Sequence, residues 1–284
     1  MKISVLTPSF NSEAFIERAI QSVLAQDSDQ WEHIVVDGGS TDGTLAILKK
    51  YPRLKWISEP DRGQSDAMNK AFRLSSGDLI GYLNSDDYYE PRVFQHVLDC
   101  FANSGADLVA GTLSTHLVAA NTTTLSIPPT RLDEILDPKQ YGFPYNPASY
   151  FYRRAVQESI GPFPLEEHYA MDYWFLLRAY QSFKIHRTDR LLGHNYVSPN
   201  CKSARLLESQ SALFLVLYDF LTKTPGLDAP KYLQLFVSHL LRDAINTRNE
   251  RDHYQKKFWF FANSRPWRLV RKLLRRPQPR PEIR

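Results

Sequence analysis

The residues best suited to chemistry gather where short apolar runs stop. Thr7-Pro8-Ser9-Phe10-Asn11 follows the first run, Asp37 through Thr44 the second, Glu59 through Asp66 the third, and Asn84-Ser85-Asp86-Asp87 the fourth. Asp86 and Asp87 are the most informative of these. Adjacent carboxylates repel each other, and a turn or helix cap needs only one. Behind an apolar run, the pair is suited to a hard divalent cation, since Mg2+ keeps several waters and binds one or two carboxylates together with substrate phosphates. The competing reading is a capped turn ahead of the helix that Pro91 opens. Asp37 stands as the second run ends, where its carboxylate can accept hydrogen bonds from a nucleobase or ribose. The Gly/Ser/Thr/Asp stretch behind it also reads as a loop with a helix cap. It is not the dinucleotide fingerprint, because Gly38-Gly39 followed by Gly43 lacks that spacing.

Elements that would position these clusters are legible over the first 110 residues. Strand signals at Ile3–Thr7, His33–Val36, Leu54–Ser58, Leu79–Leu83 and Asp107–Gly111 alternate with helical patterns. Asn11 or Ser12 is expected to cap a helix with Phe15, Ile16, Ala19, Ile20, Val23 and Leu24 at helical spacing. Further helices are expected near Thr44–Lys50, Asp66–Leu74 and from Pro91 to Phe101, with proline at the first helical position. Alternation of this kind predicts an α/β fold with a mostly parallel sheet flanked by helices. In such a sheet, ligands bind beyond the carboxyl ends of the strands, so all four clusters fall on one edge. From about 112 to 200 the pattern loosens into short strand candidates at Thr122–Ile127, Ser149–Tyr152, Lys184–Arg187 and Gly193–Val197 around a helix near Asp172–Gln181. Long helical patterns at Ala204–Thr222 and Lys231–Phe258 follow, separated by Pro225-Gly226. The expected organisation is a catalytic-type domain over 1–200, divided near 111, then a helical extension over 201–260 and a tail over 261–284.

Composition bounds the class. The chain has 284 residues, 43% of them hydrophobic and 13% aromatic, enough to bury a sizeable core, and 18 prolines without any period exclude a collagen-like repeat. The formal charge of +4 hides a segregation: residues 251–284 hold eleven Lys/Arg against two acids, so they carry +9 and the first 250 residues carry −5. Residues 254–276 place Trp267, Leu269, Val270, Leu273 and Leu274 at helical spacing among Arg268, Arg271, Lys272, Arg275 and Arg276. A basic amphipathic helix with aromatic anchors suits an anionic membrane interface. A solvated tail is the alternative, and no nucleic-acid module accompanies the basic residues. Cys100 and Cys201 lie far apart without metal spacing and read as reduced, partly buried thiols. No signal peptide or membrane-spanning run is visible, which predicts a cytoplasmic protein held peripherally on the inner face of the cell membrane.

In combination, Val5–Asn11, Val35–Thr44, Asp61–Lys70 and Leu83–Asp87 resemble, in order, the motifs of glycosyltransferase family 2. The resemblance is dense over about residues 1–100 and thinner to about 197. It implies a GT-A fold and an inverting transfer from a nucleotide-sugar donor, a UDP-sugar by expectation, to a hydroxyl of a saccharide or lipid-linked saccharide in envelope or exopolysaccharide synthesis. It implies that Asp37 contacts the base, that Thr7 and Pro8 line the base pocket, and that Arg62 or Asp61 borders the nucleotide. Asp86-Asp87 stands at the family's metal motif, with Asp86 on the nucleotide side and Asp87 as the direct ligand of Mg2+ or Mn2+. The family often has a second acid after the one matched by Asp37, where this chain has Gly38. Tyr169 through Arg178 resembles the acceptor-side segment that supplies the general base, which makes Asp172 the candidate; a simple helix cap is the alternative. Glu166, Glu167 and His168 compete for that role, and His194 is a candidate third metal ligand. Two other readings stand beside this one. A sugar nucleotidyltransferase would carry a glycine-rich basic loop after the first strand, which Thr7–Asn11 lacks. A catalytically silent sugar- or lipid-binding protein would not need Asp37, Asp87 and Asp172 together.

Overall fold

A computed structural model describes residues 1–137, 146–198, 201–202 and 206–246. Strands β1 (Ile3–Ser9), β2 (Trp31–Asp37), β3 (Lys55–Ser58) and β4 (Leu79–Tyr82) form a parallel set in the order β3-β2-β1-β4. Their apolar runs are continuous because helices cover both faces. Along β1, Ile3 and Val5 join the core under α1 (Ile16–Leu24) and α4 (Val93–Ser104), while Leu6 points into the core under α3 (Gln64–Leu74) and α7 (Met171–Ser182). Val35 of β2 packs with α1 and with α2 (Thr44–Leu48), whereas Ile34 and Val36 face α3. Register aligns the carboxyl ends: Ser9 pairs with Asp37, and Asp37 with Ser58.

The sheet continues past β4 with mixed direction. β8 (Tyr150–Arg153) runs antiparallel between β4 and β6 (Leu108–Leu117). Next to β6 lies β9 (Ile185–Val197), parallel to it, and the two-residue β5 (Tyr88–Tyr89) pairs antiparallel with β9. β7 (Thr122–Ser126) pairs with β6 off this path, completing a 9-stranded sheet. Parallel character is therefore concentrated in the first half. The two short strands expected at Lys184–Arg187 and Gly193–Val197 are one strand, irregular opposite Ala110–Leu113. Small helices α5 (Leu132–Ile135) and α6 (Arg154–Ile160) were not legible in the sequence. Both are shorter than the window over which an apolar period can be read. Helices α8 (Leu206–Lys223) and α9 (Ala229–Asn246) pack beyond α7, with the Phe214 and Phe236 rings 5.6 Å apart.

Two helix starts differ from expectation. Neither Asn11 nor Ser12 caps α1 through its side chain. The Ser12 carbonyl accepts from the N–H groups of Phe15 and Ile16, while its hydroxyl is engaged with Ser85 at 2.9 Å. Helix α4 begins at Val93 rather than Pro91, because Arg92 adopts the left-handed region at φ 59°. Its first N–H groups, those of Val93 and Phe94, donate to Gln26 Oε1 at 2.8 and 3.2 Å. Both cysteines are free and partly buried. No helix among the described residues is long and apolar enough to cross a membrane. The basic segment 254–276, the tail 261–284 and the end of the helical extension lie outside the described residues.

Candidate active site

A cleft of about 910 Å3 opens along the carboxyl edge of the sheet. The end of β1 gives it Pro8 and Ser9, and Phe10 follows that strand; Gly38 follows β2, Asp61 follows β3, and Asp86 and Asp87 follow β4. From the second half come Asn146, Asp172 at the start of α7, and Tyr196 near the end of β9. Residues separated by more than 160 positions thus meet in one cavity, as an open α/β sheet requires.

Asp86 and Asp87 divide their work. Asp87 is 1% exposed. Its Oδ2 accepts from Asn146 Nδ2 at 2.7 Å and Asn84 Nδ2 at 3.0 Å, and its Oδ1 faces the Tyr196 N–H at 3.4 Å. Burial, and then the neighbouring Asp86 charge, push its carboxyl far above the usual carboxylate range. Burial raises Asp86 too, against the nearby Arg18 guanidinium. Arg18 does not pair with either carboxylate. It donates to the Asp86 carbonyl at 2.7 Å and lies over the Tyr88 and Tyr196 rings at 4.6 and 4.1 Å. Two adjacent carboxyls at the wall of a cleft, both pushed upward by burial, are the environment that a divalent cation relieves, and their oxygens fit a hard ion. Among the described residues no group of three or more His, Cys, Asp or Glu is arranged to hold a metal. The pair therefore fits a cation completed by waters and phosphates rather than a closed protein cage.

Asp172 sits in the first turn of α7, but its side chain does not cap the helix. Its Oδ1 accepts from the Tyr150 hydroxyl at 3.1 Å. Burial raises its pKa to about 7, with the Tyr150 hydrogen bond and the Lys202 charge pulling the other way. A carboxyl poised there can take a proton near neutral pH. Glu167 is spent locally, its Oε1 accepting from the Tyr169 and Ala170 N–H groups at 3.0 and 2.8 Å. Glu166 is exposed, and His168 lines the cleft.

Four expected site residues are placed differently. Thr7 is fully buried, its hydroxyl 2.9 Å from His33 Nε2. Asp37 is also fully buried, with Oδ2 accepting from the Gly39 and Ser40 N–H groups and the Ser58 hydroxyl, and Oδ1 from the Ser40 hydroxyl. Those four bonds tie the carboxylate into its own loop and to Ser58, and Asp37 is not among the residues that line the cleft. The Arg62 side chain is 72% exposed and leans on Asp66 at 3.9 Å. His194 lies on β9 opposite Tyr88, with Nε2 2.5 Å from Glu90 and Nδ1 3.0 Å from His116. Both ring nitrogens are engaged within the protein, and His194 is not among the residues that line the cleft. Of the expected nucleotide and metal residues, Pro8, Asp86 and Asp87 line the cleft.

Beyond the expected residues, a polar relay spans the cleft. Lys202 Nζ reaches Gln64 Oε1 at 3.1 Å, Gln64 Nε2 donates to Asn84 Oδ1 at 3.0 Å, and Asn84 and Asn146 both donate to Asp87. Gln64 and Asn84 stood inside recognised motifs, where their amide side chains were the available signal. Asn146, Tyr150 and Lys202 lie where the pattern loosens, and no spacing marks them.

The chain matches the family model described as "Glycosyl transferase family 2" over residues 4–160, more than half its length. It is 34% identical over 182 residues to an uncharacterized glycosyltransferase of Mycobacterium tuberculosis, covering 62% of this chain and 68% of that protein. Three other curated relatives match over shorter stretches, and the chain spans 15 to 37% of their lengths. Its fold resembles the S. aureus TarS fragment crystallised with UDP-GlcNAc, with TM-score 0.69, 20% identity, and coverage of 90% of this chain and 79% of that one. It also resembles a mannosyltransferase of Pyrobaculum calidifontis in complex with GDP-Man and Mn2+, with TM-score 0.61, 17% identity, and coverage of 96% and 83%. With its GT-A-type α/β fold and the ordered motifs at the carboxyl edge of the sheet, the chain belongs to glycosyltransferase family 2.

Proposed function

We propose that the protein is an inverting, metal-dependent transferase that moves a sugar from a UDP-sugar to a hydroxyl of a saccharide or lipid-linked saccharide. The observation that carries this reading is one cleft bounded by the carboxylate pair after β4, with Asp87 buried and Asp86 partly so, and by Asp172 at the start of α7. Glycosyl transfer needs charge neutralised on the leaving diphosphate and a base for the incoming hydroxyl, on opposite sides of the anomeric carbon. A bound Mg2+ or Mn2+ would supply the first by drawing charge from the leaving phosphates. Asp86 and Asp87 would hold it. The two amide donors on Asp87 Oδ2 support Asp86 as the direct ligand and Asp87 as its support, the reverse of the order that the family resemblance implied. Asp172 takes the acceptor proton as the hydroxyl attacks, and a single displacement inverts the centre without a covalent sugar on the protein. The UDP complex of the fold relative and the Mn2+ complex of the other support donor and ion.

Organisation into a catalytic domain over 1–200 and a helical extension follows the same reading. The basic segment 254–276 would hold the enzyme peripherally on an anionic inner membrane face, near a lipid-linked acceptor. The direct test is a screen of nucleotide sugars with Mg2+ or Mn2+, reading released nucleoside diphosphate. One UDP-sugar is expected to be turned over, with loss on chelation. Turnover of none, or turnover indifferent to chelator, defeats the proposal. Asp172→Asn is expected to bind nucleotide as before and lose transfer about 100-fold or more; full transfer by that variant removes the base assignment.

A further inference from the structure

We propose that Asp61 is the carboxylate that reads the nucleobase edge of the donor, and that position 38 is glycine because Asp61 occupies its space. The inference rests on the nucleotide-sugar reading above and names the residue that selects the base. Asp37, the acid expected there, is closed off by its four hydrogen bonds. Asp61 lines the cleft. One of its oxygens, Oδ1, is fixed by the Gly63 N–H at 2.8 Å. The other, Oδ2, accepts no hydrogen bond from any described residue. A Cβ on Gly38 would stand 2.6 Å from that Oδ2 and 3.0 Å from Cγ, closer than such atoms approach. Gly38 is not in the left-handed region, so what a Cβ there would meet is the Asp61 carboxylate, which would have to shift, rather than a backbone penalty.

Position decides what this oxygen meets. Along the sheet, β2 and β3 lie two and three strands from β4. At about 4.8 Å per strand, their loops stand roughly 10 Å or more from the Asp86-Asp87 end. A diphosphate seated at that pair extends its nucleoside toward Gly38 and Asp61. A carboxylate oxygen accepts there from a ring N–H, which uracil presents at N3. Cytosine presents a lone pair at the same position and is repelled.

Calorimetric titration of the full chain with UDP and CDP, in Mg2+, tests this. The wild type is expected to prefer UDP by about 10-fold or more, the scale of a charge-assisted hydrogen bond. In Asp61→Asn the side-chain carbonyl still accepts from Gly63 while an amide donor replaces Oδ2, so the preference collapses or inverts toward CDP. Gly38→Ala leaves Asp61 in the sequence but displaces its carboxylate, and is expected to lose the preference with an unchanged melting temperature. An Asp61→Asn protein that keeps the wild-type UDP-to-CDP ratio overturns the assignment, and because the readout is a ratio, partial unfolding cannot mimic that result. If the wild type binds GDP instead of UDP and Asp61→Asn weakens it, the UDP reading fails while the carboxylate assignment stands, since guanine also offers a ring N–H.

Discussion

Asp172 owes its proposed role to two neighbours rather than to its residue type. Burial raises its pKa to about 7, and the Tyr150 hydroxyl restrains that rise by donating to Oδ1. A base must be unprotonated to act, so kcat/KM is expected to increase with pH and level off above about 7. Removing the donor in Tyr150→Phe destabilises the carboxylate, and the acid limb of the pH profile should move upward by about one unit. An unshifted limb would mean that the hydroxyl does not touch the acting base. The carboxylate pair makes a separate prediction. A raised carboxyl must lose its proton to take a cation, so Mg2+ or Mn2+ binding should tighten as pH rises from 6 to 8. The metal-induced rise in melting temperature should vanish in Asp86→Ala, read by differential scanning fluorimetry with and without chelator. In sequence, Asp86, Asp87 and Asp172 were all visible as candidates. Which carboxylate of the pair keeps open oxygens was not, because Asn146 reaches Asp87 from 59 residues away.

At the level of elements, the loop after β2 is held together by one of its own motif residues. Asp37 stitches Gly39, Ser40 and Ser58 together at the strand end. Asp37→Ala strands those donors in a buried place and should cost about 2–4 kcal/mol of unfolding free energy in denaturant titrations. A stability within about 0.5 kcal/mol of wild type would contradict that role and reopen a ligand contact. Strand and helix existence was readable over the first half because each period was long enough to see. Ends were displaced by partners from elsewhere: Gln26 supplies the cap of α4, and Ser85 takes the hydroxyl that would have capped α1. β5 was unreadable because two residues have no period, and only pairing with β9 makes them a strand.

Over the whole molecule, β8 is the joint. Running antiparallel between β4 and β6, it fuses the parallel strands of the first half to the mixed strands of the second in one sheet, and Tyr150 at its start carries the link to Asp172. Charge is segregated on the same scale, with −5 on the first 250 residues and +9 on the last 34. A chain ending at residue 250 is therefore expected to lose flotation with anionic vesicles that the full chain retains, and equal flotation of both would exclude the tail as the attachment. Family, fold class and the identities of the acids along the carboxyl edge follow from local order, since motifs and apolar periods are written in neighbouring residues. The assignment of tasks among those acids does not. Asp37 is bound within its own loop, Asp87 is held by Asn84 and Asn146, Asp61 lies against Gly38, and His194 is tied to Glu90 and His116. Each outcome depends on hydrogen-bond donors and space contributed by segments distant in the chain, which only folding brings within reach.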